Sequence, residues 1–453
     1  MSDNKFLTIA SGAILLATLL VWIFVFRLDR DEHSRRTTAA ICLTLGVVLP
    51  EVASSLIVSI NGQLSTGIGQ LFILLALVEA MLIDRQSTGI SKKIGLFYLA
   101  LLLYWLTTIF SMYIIGSQDT SSFGLIPISI VSLPVVIWIS YHSRLDLAVV
   151  RKSVVPLLTL ICSGTIAFAP FGIFHESWTL VLPGSQTDFS TSQVQTFTNA
   201  DSYYITPLNA ILGIATRWSA WAPHPNQLGF FAATCVALGL AVGAKRGAWL
   251  ILAASLLLIT SGSRTALAAA VLATLLSSIN SRNKGKIWLK ALIGFSATIL
   301  LYLSISSQGA SALTLTGRTN VWSLALEGWQ KSPILGQGYD IGTLQLSTGV
   351  SHGNAQHAEN LLVNTLWTSG LVGISALVFL IYCTIDLCLK VPPGRPIAAV
   401  LFVTSISEII LAPTSYSSGF WALLLFAWCT EGSDSAIRSG SGPNIQESES
   451  HMI

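Results

Sequence analysis

KKIGLFYLALLLYWLTTIFSMYII, residues 92–115, decides the class of this fold. Two lysines open the stretch, and residues 94–115 carry no charged side chain. About 20 predominantly apolar residues suffice for a helix to cross the hydrocarbon core of a bilayer. The run therefore reads as a membrane span with Lys92 and Lys93 at one aqueous end. Comparable runs occupy residues 6–26, 37–60, 64–83, 123–141, 154–174, 288–306, 358–388 and 397–411, with shorter ones at 227–243, 248–260, 265–279 and 419–430, which makes thirteen in all.

Composition agrees. Only 10% of the 453 residues are charged, against roughly a quarter in a soluble domain. Mean hydropathy is +0.69. The expected fold is all-α, a polytopic membrane helix bundle. Cys42, Cys162, Cys235, Cys383, Cys388 and Cys429 fall in or at the ends of apolar runs, without metal-ligand spacing, and read as small hydrophobes. The N-terminus lacks a basic n-region and its first apolar run is long enough to span, so no cleavable signal peptide is expected.

Lysine and arginine accumulate on the cytoplasmic side of a membrane protein. If Arg27, Arg30, Arg35 and Arg36 lie inside and the sides alternate, every later basic loop also falls inside, as does Arg438, and nineteen of the 24 Lys and Arg are cytoplasmic. Lys5, Arg217, Arg264, Arg318 and Lys331 remain outside. The N-terminus is then external and the C-terminus internal. The chain divides into spans 1–6 (1–174), a long external loop (175–226), spans 7–10 (227–306), a second external loop with an interfacial helix (307–357), spans 11–13 (358–430), and a Ser, Gly and Glu-rich tail (431–453) expected to be disordered in the cytosol.

The sparsely charged external face concentrates the candidate chemistry. Arg217 precedes a Pro225-Asn226 turn, Arg264 sits in the hairpin Ser261-Gly262-Ser263-Arg264-Thr265, and Arg318 follows Gly317. Arginine presents a planar fork that suits phosphate oxygens, so the three suggest one anionic pocket. The alternative for each is an interfacial anchor whose stem lies along apolar surface. After Thr319, read as an N-cap, Trp322, Leu324, Leu326 and Trp329 describe an aromatic helix lying at the membrane surface. Gly336-Gln337-Gly338-Tyr339-Asp340 reads as a flexible turn returning towards the bilayer. At the mouth of the eleventh span stand His357, Glu359 and Asn360; on a helix His357 and Asn360 would share a face. Either His357 or Glu359 is a candidate general base, and a cap or surface role is the plainer alternative. Glu51, Glu79 and Glu408 lie within apolar runs. They support a rival reading as an ion-coupled transporter or flippase, although Glu79 is close enough to a span end to reach Arg85.

Taken together, these motifs resemble the O-antigen ligase and O-antigen polymerase family over roughly residues 210–380. Arg217 with Pro225-Asn226 is similar to its "R…(N/H)PN" element. Ser263-Arg264-Thr265-Ala266-Leu267 is similar to its "SRT-A-L" hairpin. Gly317-Arg318 with Trp322 and Pro333-Ile334-Leu335-Gly336-Gln337-Gly338 is similar to its "GR…W…PLLGxG" loop. His357-Ala358-Glu359-Asn360 with Gly370-Leu371-Val372-Gly373 is similar to its "HxHN-x-x-L…GLxG" element. In many relatives a histidine directly precedes the asparagine; here that position is Glu359, with His357 two residues earlier.

The resemblance implies a glycosyltransferase with a class-C-like membrane fold, without metal or cofactor, in the bacterial cytoplasmic membrane. Its donor would be an oligosaccharide on undecaprenyl diphosphate at the external face. Arg217, Arg264 and Arg318 would hold the diphosphate, and His357 or Glu359 would deprotonate the acceptor hydroxyl. Asn226, Ser263, Asn360 and Trp322 would support the site, and Trp218, Trp221, Trp322 and Trp329 would offer stacking faces or form an interfacial belt. A second lipid-linked unit as acceptor makes a polymerase, the reading preferred here. Lipid A core or another cell-envelope anchor makes a ligase. The expected partners are the lipid-linked oligosaccharide, the bilayer, a sugar acceptor and a chain-length regulator or flippase, with no nucleic acid.

Overall fold

The computed structural model describes residues 31–56, 62–83, 92–111, 126–169, 218, 220–222, 225–278, 318–338, 360–405 and 418–431. Among these residues the chain is all-α, with twelve helices. They are α1 (Glu32–Leu56), α2 (Gly62–Met81), α3 (Lys92–Phe110), α4 (Ile126–Ser143), α5 (Leu147–Phe168, with a π-helical turn at Val150–Val154), α6 (Pro225–Val242), α7 (Ala244–Ser261), α8 (Arg264–Ser278), α9 (Arg318–Lys331), α10 (Leu361–Lys390), α11 (Arg395–Ser405) and α12 (Ser418–Thr430). Three of them, α3, α5 and α10, are long and apolar enough to cross a bilayer, and several shorter helices are also apolar. The expected spans at 6–26 and 288–306 lie outside the described residues.

The apolar surface is distributed as a lipid solvent requires. On α3, Leu96, Leu99, Leu103, Leu106 and Phe110 are exposed, while Phe97, Tyr98, Leu101, Tyr104, Trp105 and Thr108 are buried. That spacing gives a helix with one apolar face on the bundle and another, equally apolar, facing outwards. In water, exposed stripes of this size would be an aggregation hazard; in hydrocarbon they cost nothing. Helix α12 is the opposite case. Residues 420–430 are all buried, so it runs through the centre of the bundle. There Phe426 meets Phe97 with ring centroids 5.4 Å apart, and Trp421 stacks on Phe231 at 5.5 Å.

Helix directions follow from contacts at their ends. Lys93 of α3 lies 3.9 Å from Asp386 of α10, which also pairs with Lys390, while at the far end Ser111 donates to the Thr368 carbonyl of α10. The two helices are therefore antiparallel. Arg36, Arg144, Asp146 and Glu431 gather where Tyr98 of α3 lies, and Lys152 of α5 contacts His33 in the first turn of α1 at 3.1 Å. One end of the bundle thus carries most of the described charge. Glu79 lies 3.6 Å from Arg35; Arg85, which the sequence puts within its reach, is outside the described residues, as is Glu408. The other end carries the start of α6, the α7–α8 hairpin, α9 and the start of α10.

Helix α6 packs tightly against antiparallel α7 and also against α8, whose first turn meets its own first turns. Gly239 and Gly247 bring α6 and α7 together so closely that a Cβ on Gly239 would sit 2.7 Å from the Gly247 carbonyl oxygen. Small residues at such crossings let membrane helices approach backbone to backbone.

Candidate functional site

The site is built on the α7–α8 hairpin. Helix α7 ends at Ser261 with Gly262 as a left-handed cap (φ 59°). The chain can then reverse within two residues and start α8. Ser263 caps that start: its hydroxyl accepts from the Ala266 amide at 3.4 Å and its carbonyl from the Leu267 amide at 3.0 Å. Arg264 is consequently the first residue of α8. A helix N-terminus carries partial positive charge and favours an anion. A cation placed there runs against that preference, and the pairing becomes favourable once an anion binds to both.

Two further segments are tied to this hairpin. The Trp218 amide donates to the Thr260 carbonyl at 3.1 Å, which satisfies one of the orphan carbonyls in the last turn of α7. Helix α6 packs its first turns against the same corner, since a Cβ on Gly229 would fall 2.5 Å from Ser263 Cβ and 3.0 Å from Ser261 Oγ. Asn226 stands one turn before Gly229, half-buried. The segment next to Arg217, the Asn226 turn and Arg264 therefore converge on one corner of the bundle, while Arg217 itself lies outside the described residues. Trp218 and Trp221, expected as sugar-stacking or interfacial rings, are 3% and 1% exposed. The Trp221 indole donates to Thr165 of α5 at 3.1 Å and its ring meets Phe231 edge-on. Both tryptophans anchor the loop in the core.

The second half of the site is a splint. Helix α10 breaks at Gly370 (φ 59°, ψ −152°). A break leaves carbonyls unpaired on one side and amides on the other. Residues 333–338 supply both sets. Gln337 and Gly338 amides donate to the Trp367 and Thr368 carbonyls at 2.8 and 3.0 Å, and the Leu371 and Val372 amides donate to the Pro333 and Ile334 carbonyls at 3.0 and 3.2 Å. Gly336 and Gly338 both have positive φ. The sequence suggests a flexible turn over residues 336–340; the backbone of residues 336–338 is instead locked into α10, and Tyr339 and Asp340 lie outside the described residues. The Gln337 side chain adds a bond to the Gly328 carbonyl at 2.6 Å, and the Trp329 indole one to the Pro333 carbonyl at 3.0 Å, so α9 is fixed to the same unit. Trp322 is half-buried and packs with Ala325 and Trp367.

Other expected residues take modified places. Helix α9 begins at Arg318, so Thr319 lies inside it rather than capping it. Asn360 is the N-cap of α10, buried, with extended backbone and its side chain accepting from the Val363 amide at 3.1 Å. His357 and Glu359 lie outside the described residues. Among the buried polar residues that the sequence does not single out is Asn364, one turn into α10 and hidden in an apolar run.

These features define a multi-pass membrane protein with a corner of small polar residues and arginine at one end of its bundle. Residues 231–378 match the family model described as O-antigen ligase. Over that stretch the chain is similar to the O-antigen ligase family, and the stretch contains the Arg264 hairpin, α9, the splint and the break in α10. No curated protein matches the chain.

Proposed function

We propose that the protein transfers an undecaprenyl-diphosphate-linked oligosaccharide to a sugar acceptor on the external face of the bacterial cytoplasmic membrane, as a polymerase of O-antigen, capsule or exopolysaccharide. In this reading the chain crosses the bilayer thirteen times with its N-terminus outside and adopts a glycosyltransferase-C-like bundle. Arg217, Arg264 and Arg318 hold the diphosphate. Their fixed charge in a site of low dielectric stabilises the leaving group as the bond between the anomeric carbon and the phosphate oxygen breaks. The acceptor hydroxyl forms the new bond to that carbon and gives its proton to Glu359 or His357. Asn226 and Ser263 keep the arginine segments in place, Asn360 fixes the start of α10 behind the base, and Trp322 holds α9. No metal is assigned a role.

The observation that carries this reading is the joining of the Trp218 segment, the Gly229 face of α6 and the Arg264 hairpin. A ligase that delivers the glycan to lipid A core or another anchor is the second reading, favoured by the description of the matched domain. One assay separates them. Purified protein is mixed with an undecaprenyl-diphosphate oligosaccharide in liposomes without divalent metal. A growing ladder, abolished in Arg264→Ala, is the expected result. Transfer only to an added anchor identifies a ligase. Intact lipid-linked sugar under both conditions refutes glycan transfer and returns the transporter reading.

A further inference from the structure

Asn364 is 5% exposed, and its Oδ1 has no hydrogen-bond partner. Its backbone is fully engaged: the amide donates to the Asn360 carbonyl at 2.9 Å, and its carbonyl accepts from Thr368 Oγ1 at 2.8 Å. Only the side-chain amide is left over. Buried polar groups are nearly always paired, and an unpaired one lowers stability. Within an apolar helix such a residue marks function more often than packing.

Its neighbours show which way it faces. Successive helical residues turn by about 100°, so Asn364 lies between Thr368 on one side and Asn360 and Trp367 on the other. Thr368 is on the α3 side, where Ser111 donates to its carbonyl, and Thr365 joins Tyr104 at 3.1 Å. Trp367 is on the α9 side, where a Cβ on Gly328 would lie 2.8 Å from its indole nitrogen. Asn364 therefore faces the seam between α3 and the surface helix α9, one turn from the Asn360 cap. The α3 side of this seam offers the uncharged hydroxyls of Thr368 and, further round the helix, of Thr365 with Tyr104, and the α9 side offers the Trp367 ring. A seam of hydroxyls and one unsatisfied amide matches a neutral polyol rather than an ion. Either end of the amide, oxygen accepting or nitrogen donating, can bind a hydroxyl.

We propose that Asn364 binds a hydroxyl of the sugar substrate with the unpaired end of its side-chain amide. This rests on the glycosyltransferase reading above. It extends the site one turn deeper into α10 than the sequence motifs reach and gives α3, which lies outside the matched domain, a place in its wall.

The test uses the full-length protein in liposomes and in detergent. Asn364→Leu replaces an unpaired amide with an apolar group of similar size. It should melt at or above the wild-type temperature, while transfer falls at least tenfold with a raised KM for the sugar substrate. A purely structural asparagine does not produce that opposed pair of effects. Single-deoxy acceptor sugars supply a second readout. Wild type should use one of them at least tenfold less well than the parent sugar, and Asn364→Leu should treat those two alike. Transfer within twofold of wild type overturns the proposal. So does a slow variant that keeps the wild-type discrimination among deoxy sugars, the pattern of a site filled by water. If Asn364→Leu does not fold, Asn364→Ala is judged by the same two criteria. A wild type without any transfer removes this proposal together with the reading beneath it, whereas an active wild type with an indifferent Asn364 removes this one alone.

Discussion

Replacing Gly370 with alanine should detach the splint from α10. The glycine has φ 59° and ψ −152°, a region where any other residue costs about 1–3 kcal/mol. The new Cβ would also press on the Ile334 carbonyl oxygen and lie 2.6 Å from the Gly336 nitrogen. Both are backbone atoms, so no side-chain rotation relieves the overlap and the turn must lift away. Lifting it breaks the four backbone bonds to α10, each worth about 0.5–1.5 kcal/mol and more when its groups stay buried and unpaired. The combined cost is on the order of 5 kcal/mol, a large part of the stability of an ordinary domain. Thermal unfolding in detergent can be followed with a thiol-reactive fluorogenic dye, because Cys42, Cys162, Cys235, Cys383 and Cys429 are buried. Gly95→Ala and Gly164→Ala are the controls: both are helical and a Cβ at either meets nothing within 4 Å, so alanine should be neutral or stabilise by up to about 1 kcal/mol. A Gly370→Ala protein that melts with wild type and the controls would refute the splint.

Arg264→Ala should lower the rate of glycan transfer by about 10²–10³-fold, the usual effect of removing one fixed group that stabilises developing negative charge; Arg264→Lys should restore only part, since it keeps charge without the fork. Initial rates on lipid-linked oligosaccharide decide this, and a loss smaller than tenfold in Arg264→Ala would remove the arginine from the diphosphate site. Gly229→Ala pushes a Cβ to 2.5 Å from Ser263 Cβ; it should cost about 1–3 kcal/mol of stability and cut transfer further than that loss explains, as read by comparing melting with turnover. Glu431 at the charged end of the bundle has its carboxyl pushed up to about 8, first by burial and then by Asp146, with Arg144 and Arg36 opposing. The folded protein then holds that proton more tightly than the unfolded chain, so stability should be full below about pH 4.5 and fall as pH rises to about 8. Glu431→Gln should flatten that part of the melting-temperature profile, and an unchanged slope would exclude Glu431 as its source.

The legible parts of this fold were those decided by solvent. Long apolar runs such as 94–115 announce their helices because hydrocarbon admits little else, and the hairpin at Gly262 was visible because a chain reversing between two short spans needs a left-handed residue and a cap. The break at Gly370 was not visible. Residues 358–388 form one apolar run in composition, and only the turn at 333–338, distant in sequence, shows that the helix opens there and what fills it. Asn364 was hidden for the same reason: its burial and unpaired amide depend on neighbours from α3 and α9. The tryptophans at 218 and 221 misled because an aromatic residue beside a loop can equally mark an interface or a core, and sequence does not carry the difference. Asn360 was found as a site residue for its chemistry, yet the structure gives it the mechanical task of starting a helix.

The splint also bears on how the protein is made. An opened helix leaves unpaired amides and carbonyls, and in hydrocarbon each costs several kcal/mol. Residues 333–338 precede Gly370 in the chain, so during synthesis the filler leaves the ribosome before the gap it fills. Helix α3, whose Ser111 holds the same break from the other side, is made earlier still. The order of the sequence is thus an order of assembly: a seat is prepared first, the wedge next, and the helix that needs both arrives last.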